Sequence, residues 1–459
     1  MKLVYDIHDK PKFSQLIVFA IQQLLAIMAA TLVVPVIVGN GMSSAAALFG
    51  AGVGTLVYIL FTKRRSPVFL GSSFAFIGSM TAAFAGGVSM SLGYLGLLIG
   101  AAFAGLVYVL ISVIVKFAGV KWVSKLMPSV VIGPVVAIIG LSLSANAISD
   151  LQKSNYTLPD GTVSGSPYVS IFVGLVTLAV TMISSVYGKK MARLIPFIIG
   201  ILAGYATASV FYVLGVLFNN PALMIIDYSL IVNTFSEINL SSFVSVPEFT
   251  FLTALGGFAE LNGAYVASIA MAYVPVAFVV FAEHIADHKN LSTIINCDLL
   301  EDPGLCRTLL GDGVGSVCGA VFGGCPNTTY GESVGCVAIT KNASIYTIIA
   351  AACGAIIISF ITPFVAFVNS IPSCVMGGIC MALYGFIAVS GLKMLKDVDL
   401  DQNKNLFVAS VILISGIGGL TLSFNIGGGV ITITSIACAL ILGILTNVLL
   451  SKAKDESEE

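Results

Sequence analysis

Apolar residues run through this chain in long stretches, broken at intervals by short polar or glycine-containing turns. In the first half the runs fall at about 14–38, 44–61, 68–84, 91–115, 128–147, 168–187 and 194–218. In the second they fall at about 264–290, 311–324, 327–342, 344–369, 373–391, 405–422 and 430–451. Most approach the roughly 20 residues that an α-helix needs to cross a bilayer. The pattern therefore predicts fourteen membrane-spanning segments, seven in each half. Two polar stretches, 149–167 and 219–261, are expected to be surface loops between spans. The first run exceeds a signal-peptide core and ends in Gly39-Asn40-Gly41 instead of a small-residue cleavage site, so it reads as the first span.

Charge placement adds an orientation. With the amino terminus in the cytoplasm, Lys63, Arg64 and Arg65, then Lys116, Lys121 and Lys125, then Lys189, Lys190 and Arg193 fall in cytoplasmic turns. Lys289, Arg307, Lys341, Lys393, Lys396 and Lys404 follow the same side, as do Lys2, Lys10, Lys12, Lys452 and Lys454. Twenty of the 21 basic residues are then inside, with Lys153 outside. Adding or removing one crossing would destroy this asymmetry, so both termini are expected in the cytoplasm.

The composition agrees with a bilayer as the solvent. Hydrophobic residues make up 58% of the 459 positions and charged residues 9%, against about 25% charged in soluble domains; the mean hydropathy is +1.04. A net charge of -1 excludes the basic footprint of a nucleic-acid-binding protein. The nine cysteines all lie in the second half, without metal-ligand spacing, and are expected to be small packing residues. No metal or cofactor is expected.

Seven plus seven spans imply that the second half enters from the opposite face, the inverted-repeat plan of many secondary transporters. The third and tenth segments occupy equivalent places. Leu70-Gly71-Ser72-Ser73-Phe74 and Asn327-Thr328-Thr329-Tyr330-Gly331 each set two small hydroxyl residues before an aromatic. Ser, Thr and Gly are poor helix starters, and Pro326 biases Cys325 away from helix. Each segment is expected to be a short extended piece leading into a half-helix. Two such half-helices would aim free N–H groups and positive dipole ends at one cavity.

Acids in the apolar runs are the candidate chemistry, because an intramembrane charge costs about 2.5–3.5 kcal/mol on insertion scales and marks a functional site by default. Glu283 lies deep in the eighth run and Glu332 follows the interrupted start of the tenth. Asp287, four residues after Glu283, shares its helical face, with pairing to Lys289, His284 or His288 as the structural alternative. Asp312, in Gly311-Asp312-Gly313, is expected to be a cap or surface acid at the start of the ninth run. Two carboxylates with backbone N–H groups in a dry cavity suit a small flat ligand carrying both N–H donors and carbonyl acceptors, such as a pyrimidine dione. An inorganic anion fits poorly, because no Arg or Lys lies at depth to offset the acids.

These residues resemble the nucleobase-ascorbate transporter family, and within it the bacterial uracil permeases. The resemblance rests on Phe281-Ala282-Glu283-His284-Ile285, Asp302-Pro303-Gly304-Leu305-Cys306-Arg307, and Pro326-Asn327-Thr328-Thr329-Tyr330-Gly331-Glu332 with Ala338-Ile339-Thr340. Gly71-Ser72-Ser73-Phe74-Ala75-Phe76 and Ala30-Thr31-Leu32-Val33-Val34-Pro35 extend it into the first half. Xanthine and urate transporters usually carry Gln where this chain has Glu332. The resemblance implies an all-α membrane protein, a 7+7 inverted repeat with core and gate domains that pairs into a homodimer largely through the gates. The core would comprise residues 1–120 and 262–370, and the gate 121–218 and 371–451; an extracellular linker spans 219–261 and a cytoplasmic tail 452–459. By position, Glu283 and Glu332 would bind the base, the amides of Phe74 and Gly331 would donate to its carbonyls, and Tyr330, Ala30 and Ser73 would line the pocket.

Three departures stand out. Asp287 occupies a place where uracil transporters often have histidine, and His288 is displaced about 100° around the helix. Gln23 stands where a histidine can occur on the first span, and Ser333 replaces the commoner Asn after the second glutamate. Proton-coupled uptake of uracil across the cell membrane is the expected function, with Glu283, Asp287 and His288 as proton-coupling candidates. A xanthine or other purine permease, an anion exchanger of the same architecture and an intramembrane hydrolase are the alternatives; the first expectation makes the chain a transporter and not an enzyme.

Overall fold

The computed structural model describes residues 3–119, 128–158, 161–189, 191–396, 398–426 and 429–452. Lys2, Lys121, Lys125, Lys190, Lys454 and the turn residues Pro159 and Asp160 lie outside them, as does the expected core–gate boundary at 120/121. Helices dominate. α1 (Phe13–Val38) and α2 (Ser44–Phe61) precede a three-residue strand, β1 (Leu70–Ser72), which passes through one tight turn at Phe74–Phe76 into α3 (Ile77–Ala83). There follow α4 (Met90–Ala118), α5 (Ser129–Ser142), α6 (Ser144–Leu151), α7 (Pro167–Tyr187) and α8 (Pro196–Leu217). Next come α9 (Gly263–Ile295) and α10 (Leu305–Gly323), and again a three-residue strand, β2 (Asn327–Thr329), with a short helix, α11 (Gly331–Thr340). The chain ends in α12 (Ile345–Ile358), α13 (Thr362–Asn369), α14 (Ser373–Lys393), α15 (Asn403–Ile417), the hairpin β3 (Leu422–Ile426)–β4 (Gly429–Ile433) and α16 (Ser435–Leu449).

Local chemistry sets several of these starts. The side chains of Ser43, Ser89 and Asn262 accept from Ala46, Leu92 and Tyr265 N–H groups at 3.2, 3.2 and 2.9 Å, capping α2, α4 and α9. Among the described residues nine helical stretches are long and apolar enough to cross a membrane.

Glycine allows the central helices to touch. A Cβ on Gly54 of α2 would meet the Gly315 carbonyl of α10 at 2.7 Å, and one on Gly315 would meet the Gly54 carbonyl at the same distance. In α5, a Cβ on Gly133 would meet the Gly391 carbonyl of α14 at 2.9 Å. Small residues at such crossings are how membrane helices gain packing without a hydrophobic drive. Two sets of helices emerge from this packing. α1, α2, α4, α10 and α12 bind mainly to one another, and α5, α7, α8, α14, α15 and α16 form the other group, while α9 packs on α4 and also reaches β4 and α16.

The structure corrects several expectations. The short extended pieces expected in the third and tenth segments are present as β1 and β2, but the stretch expected to open the last span is not helix: it forms β4, paired with β3. Gly429-Val430-Ile431-Thr432-Ile433 is β-branched and favours strand, whereas a count of apolar residues alone reads helix. The 344–369 run breaks between α12 and α13, and the 128–147 run divides into α5 and α6. The 219–261 stretch is more than a surface loop. It buries Ile225 and Ile226, forms helices at Ser229–Ser236 and Thr250–Ala254, and pairs with the α12–α13 break through Ser245 N–H to the Phe360 carbonyl and Thr362 N–H to the Phe243 carbonyl, both 3.0 Å.

Candidate substrate-binding site

The two interrupted segments meet. β1 and β2 pair antiparallel, with Leu70 opposite Thr329, Gly71 opposite Thr328 and Ser72 opposite Asn327. Ser73 N–H continues the pairing to the Pro326 carbonyl at 2.9 Å, and Tyr330 closes it by donating its hydroxyl to the Ser72 carbonyl at 2.6 Å. Gly71 is required beneath that ring, because a Cβ there would run into Tyr330 and Thr31. Asn327 fixes β2 from the other side. Its amide donates to the Gly50 carbonyl at 3.0 Å, in the seam between α2 and α10.

Immediately past the strands the helices begin, so Phe74 and Gly331 are first-turn residues whose N–H groups have no acceptor within their own helices. They open on one cavity of about 70 Å³. At roughly 10–15 Å³ for each water, this is space on the scale of one small ring. Glu283 from α9 and Glu332 from the first turn of α11 both line it, together with Ser73, Phe74, Tyr330 and Gly331. Among the described residues no Arg or Lys does. Aliphatic side chains complete part of the lining: Val136 and Ile139 from α5 and Ile387 from α14. Sequence reasoning missed these three, since nothing distinguishes them from other aliphatic residues of membrane helices. A larger cavity, about 580 Å³, lies among α1, α2, residues 245–248 and α13–α14, and its lining includes neither glutamate.

The remaining candidates fall around this cavity. Ala30 is buried in the same apolar cluster as Tyr330 and is not among the lining residues. Asp287, one turn beyond Glu283, accepts from the Thr329 hydroxyl at 3.0 Å, so it ties α9 to the end of β2. His288 does not reach the cavity. Its Nδ1 faces the His284 carbonyl at 2.8 Å and must donate, which leaves Nε2 to accept from the Tyr58 hydroxyl at 2.7 Å. Asp312 is a further correction. It is buried within α10, because that helix starts at Leu305, and it lies 2.6 Å from Nδ1 of His284. Gln23 and Ser333, two departures from the family pattern, meet directly: the Ser333 hydroxyl accepts from the Gln23 amide, and from Phe69 N–H at 3.0 Å.

What the arrangement can do follows from its donors and acceptors. Two carboxyl groups accept, two main-chain N–H groups donate, and apolar side chains exclude water. Solved structures share the fold. The transmembrane domain of a cyanobacterial bicarbonate transporter, BicA, superposes with a TM-score of 0.62 over 96% of this chain and 100% of its own, at 14% identity. Murine Solute Carrier 26 family member A9, an anion transporter in the inward-facing state, gives 0.62 over 96% and 69%, at 12% identity. Fold and helix composition together define a multi-pass membrane protein with one small cavity where two helices begin.

A family model described as a permease family matches residues 14–424, and the chain belongs to that family, the nucleobase-ascorbate transporters. Curated relatives extend along the whole chain. The uracil permease of Bacillus caldolyticus is 39% identical over 98% of this chain and 95% of its own. That of Bacillus subtilis (strain 168) is 36% identical over 100% and 98%, and that of Escherichia coli (strain K12) 34% over 95% and 92%.

Proposed function

We propose that this protein imports uracil, a neutral pyrimidine nucleobase, across the cell membrane together with a proton. One observation carries the reading: Glu283 and Glu332, from distant parts of the chain, line a single small cavity at which two helices begin. The carboxyl groups accept from the ring N–H groups, the Phe74 and Gly331 amides donate to the ring carbonyls, and Ser73 and Tyr330 complete the wall. Ala30 is buried in the apolar cluster that also holds Tyr330. The names of the relatives point to the same ligand. An anion would face two acids without a basic partner.

The fourteen-span, 7+7 inverted plan with both termini in the cytoplasm belongs to this proposal, the shorter helices and half-helices supplying the spans beyond the long ones. So does the division into a core, carrying both glutamates, and a gate, carrying Val136, Ile139 and Ile387, which move against each other in alternating access. The two packing groups of helices support it. Gate-to-gate pairing would make a homodimer in the lipid bilayer. In this reading Glu283, Asp287 and His288 are the candidates to carry the proton, Asp287 being bonded to Thr329 and His288 to Tyr58. One proton crossing 100 mV releases about 2.3 kcal/mol, enough for roughly 45-fold accumulation of a neutral base. Uptake of labelled uracil by cells that express the protein and lack their own carrier tests the reading. Uptake collapsed by a protonophore and indifferent to sodium is expected. No uptake of uracil, or displacement of uracil by xanthine at equal concentration, would overturn the substrate assignment.

A further inference from the structure

α11 is only ten residues long, and a helix this short is marginal without tertiary anchors. Its first turn carries Gly331 and Glu332, and that end is held by the β1–β2 pairing. The far end, about 15 Å away at 1.5 Å per residue, is held by a different device. Helix α11 stops at Lys341, which turns left-handed at φ 55°, and the following residues pair with the segment that precedes α1. Tyr5 forms a parallel bridge with Asn342. Val4 N–H donates to the Lys341 carbonyl at 2.8 Å, Ala343 N–H to the Tyr5 carbonyl at 2.9 Å and Ile345 N–H to the Ile7 carbonyl at 2.9 Å. The Ser344 hydroxyl adds a bond to the Asp9 carbonyl at 2.6 Å.

Side chains reinforce the pairing in a strand-like alternation. Leu3 and Ile7 pack on the apolar cluster that contains Tyr330, Val334 and Val337. Tyr5 donates its hydroxyl to Gln15 at 2.6 Å, and its ring meets Phe19 edge-on at 6.0 Å, both on α1. Leu3–Asp9 therefore staples the far end of α11 to α1.

We propose that Leu3–Asp9 is a positioning strap for the binding site, setting the depth and tilt at which α11 presents Gly331 and Glu332 to the substrate. The identity of that substrate rests on the functional reading above; the strap itself does not. Release of the strap lets α11 shift along its axis, so binding weakens while the groups that touch the substrate stay intact.

The test uses the full chain. Val4→Pro removes the shorter of the two N–H donors to the Lys341 carbonyl, leaving Tyr5 N–H at 3.4 Å, and Tyr5→Ala removes the contacts with α1. The double variant is expected to raise the KM for uracil uptake, and the Kd of purified protein, roughly tenfold, with kcat within about twofold. Tyr5→Phe, which keeps the ring on Phe19, should recover most of the loss. Amide hydrogen exchange within residues 331–340 should quicken in the double variant and return in Tyr5→Phe. Ile7→Ser, which removes only apolar packing, supplies the same readouts if the double variant does not fold. Unchanged KM, Kd and exchange in a folded variant would overturn the strap. Wild-type protein that binds no uracil, yet shows faster exchange when the strap is cut, would overturn the substrate and leave the strap standing.

Discussion

Nδ1 of His284 lies 2.6 Å from Oδ2 of Asp312, a buried pair that joins α9 to α10 across 28 residues of sequence. Nε2 of the same ring meets the Thr308 hydroxyl at 3.0 Å, so both ring nitrogens are engaged by α10. Because Glu283 is the preceding residue, this pair sets the rotation of α9 that turns Glu283 toward the cavity. Asp312→Ala would leave an imidazole N–H without its acceptor in a dry interior, at a cost of about 1–3 kcal/mol. A lower thermal midpoint of the purified protein is expected. His284→Ala should cost a similar amount, and the double variant less than the sum, as contacting residues do. Strict additivity would show that the two do not act as a unit.

The cavity carboxyl groups should behave differently, losing affinity more than stability. Glu283→Gln or Glu332→Gln replaces an acceptor-only group with one that also presents donors to the ring N–H groups. Hydrogen bonds to charged groups contribute about 1.5–3 kcal/mol, so the loss of uracil affinity should be roughly tenfold to a hundredfold. Asp312→Asn, outside the cavity lining, should weaken binding less than either. Isothermal titration of the three purified variants decides, and full affinity in either glutamine variant would remove that residue from the site.

Much of this was legible in the chain because the bilayer simplifies the code: an apolar run of sufficient length is a helix, and an acid inside one needs a reason. The β1–β2 meeting was legible for a local cause, the Ser, Thr, Gly and Pro326 that disfavour helix. The β3–β4 hairpin was hidden because its apolar residues continue a run, and only their β-branching differs. Asp312 looked like a cap because its helix began earlier than its apolar run, at Leu305. Its partner, like that of Asp287, is fixed by how helices pack, which no local pattern records. Val136, Ile139 and Ile387 carry no chemical mark at all; they matter through what they face.

Helix contact at Gly54 offers a test of the scaffold independent of the substrate. Alanine there would place its methyl 2.7 Å from both the Gly315 carbonyl and the Asn327 amide nitrogen. Backbone cannot yield as a flexible side chain does, so α2 and α10 would separate, at about 1–3 kcal/mol for overpacking. Asn327 anchors β2, and the disturbance should reach the site. Gly54→Ala is thus expected to lower both the thermal midpoint and uracil affinity, whereas Gly78→Ala, with nothing within 4 Å of the added carbon, should leave the thermal midpoint near wild type.

The aliphatic wall tests whether α5 closes on the substrate. Ile139 lines the cavity together with the two glutamates, and its side chain is aliphatic, so a substitution there changes volume and not hydrogen bonding by the side chain. Ile139→Trp fills a space of about 70 Å³, so uptake should fail while the protein remains folded and uniform in size. Ile139→Ala acts in the opposite sense, by removing the side chain that limits the width of the ring. One methylene of pocket volume discriminates by about 1–3 kcal/mol, so xanthine should gain on uracil as a competitor by roughly tenfold or more. Competition curves for the two bases in wild type and Ile139→Ala give the ratio directly. An unchanged ratio, together with normal uptake in Ile139→Trp, would put α5 away from the bound base and would remove the gate from the substrate's surroundings.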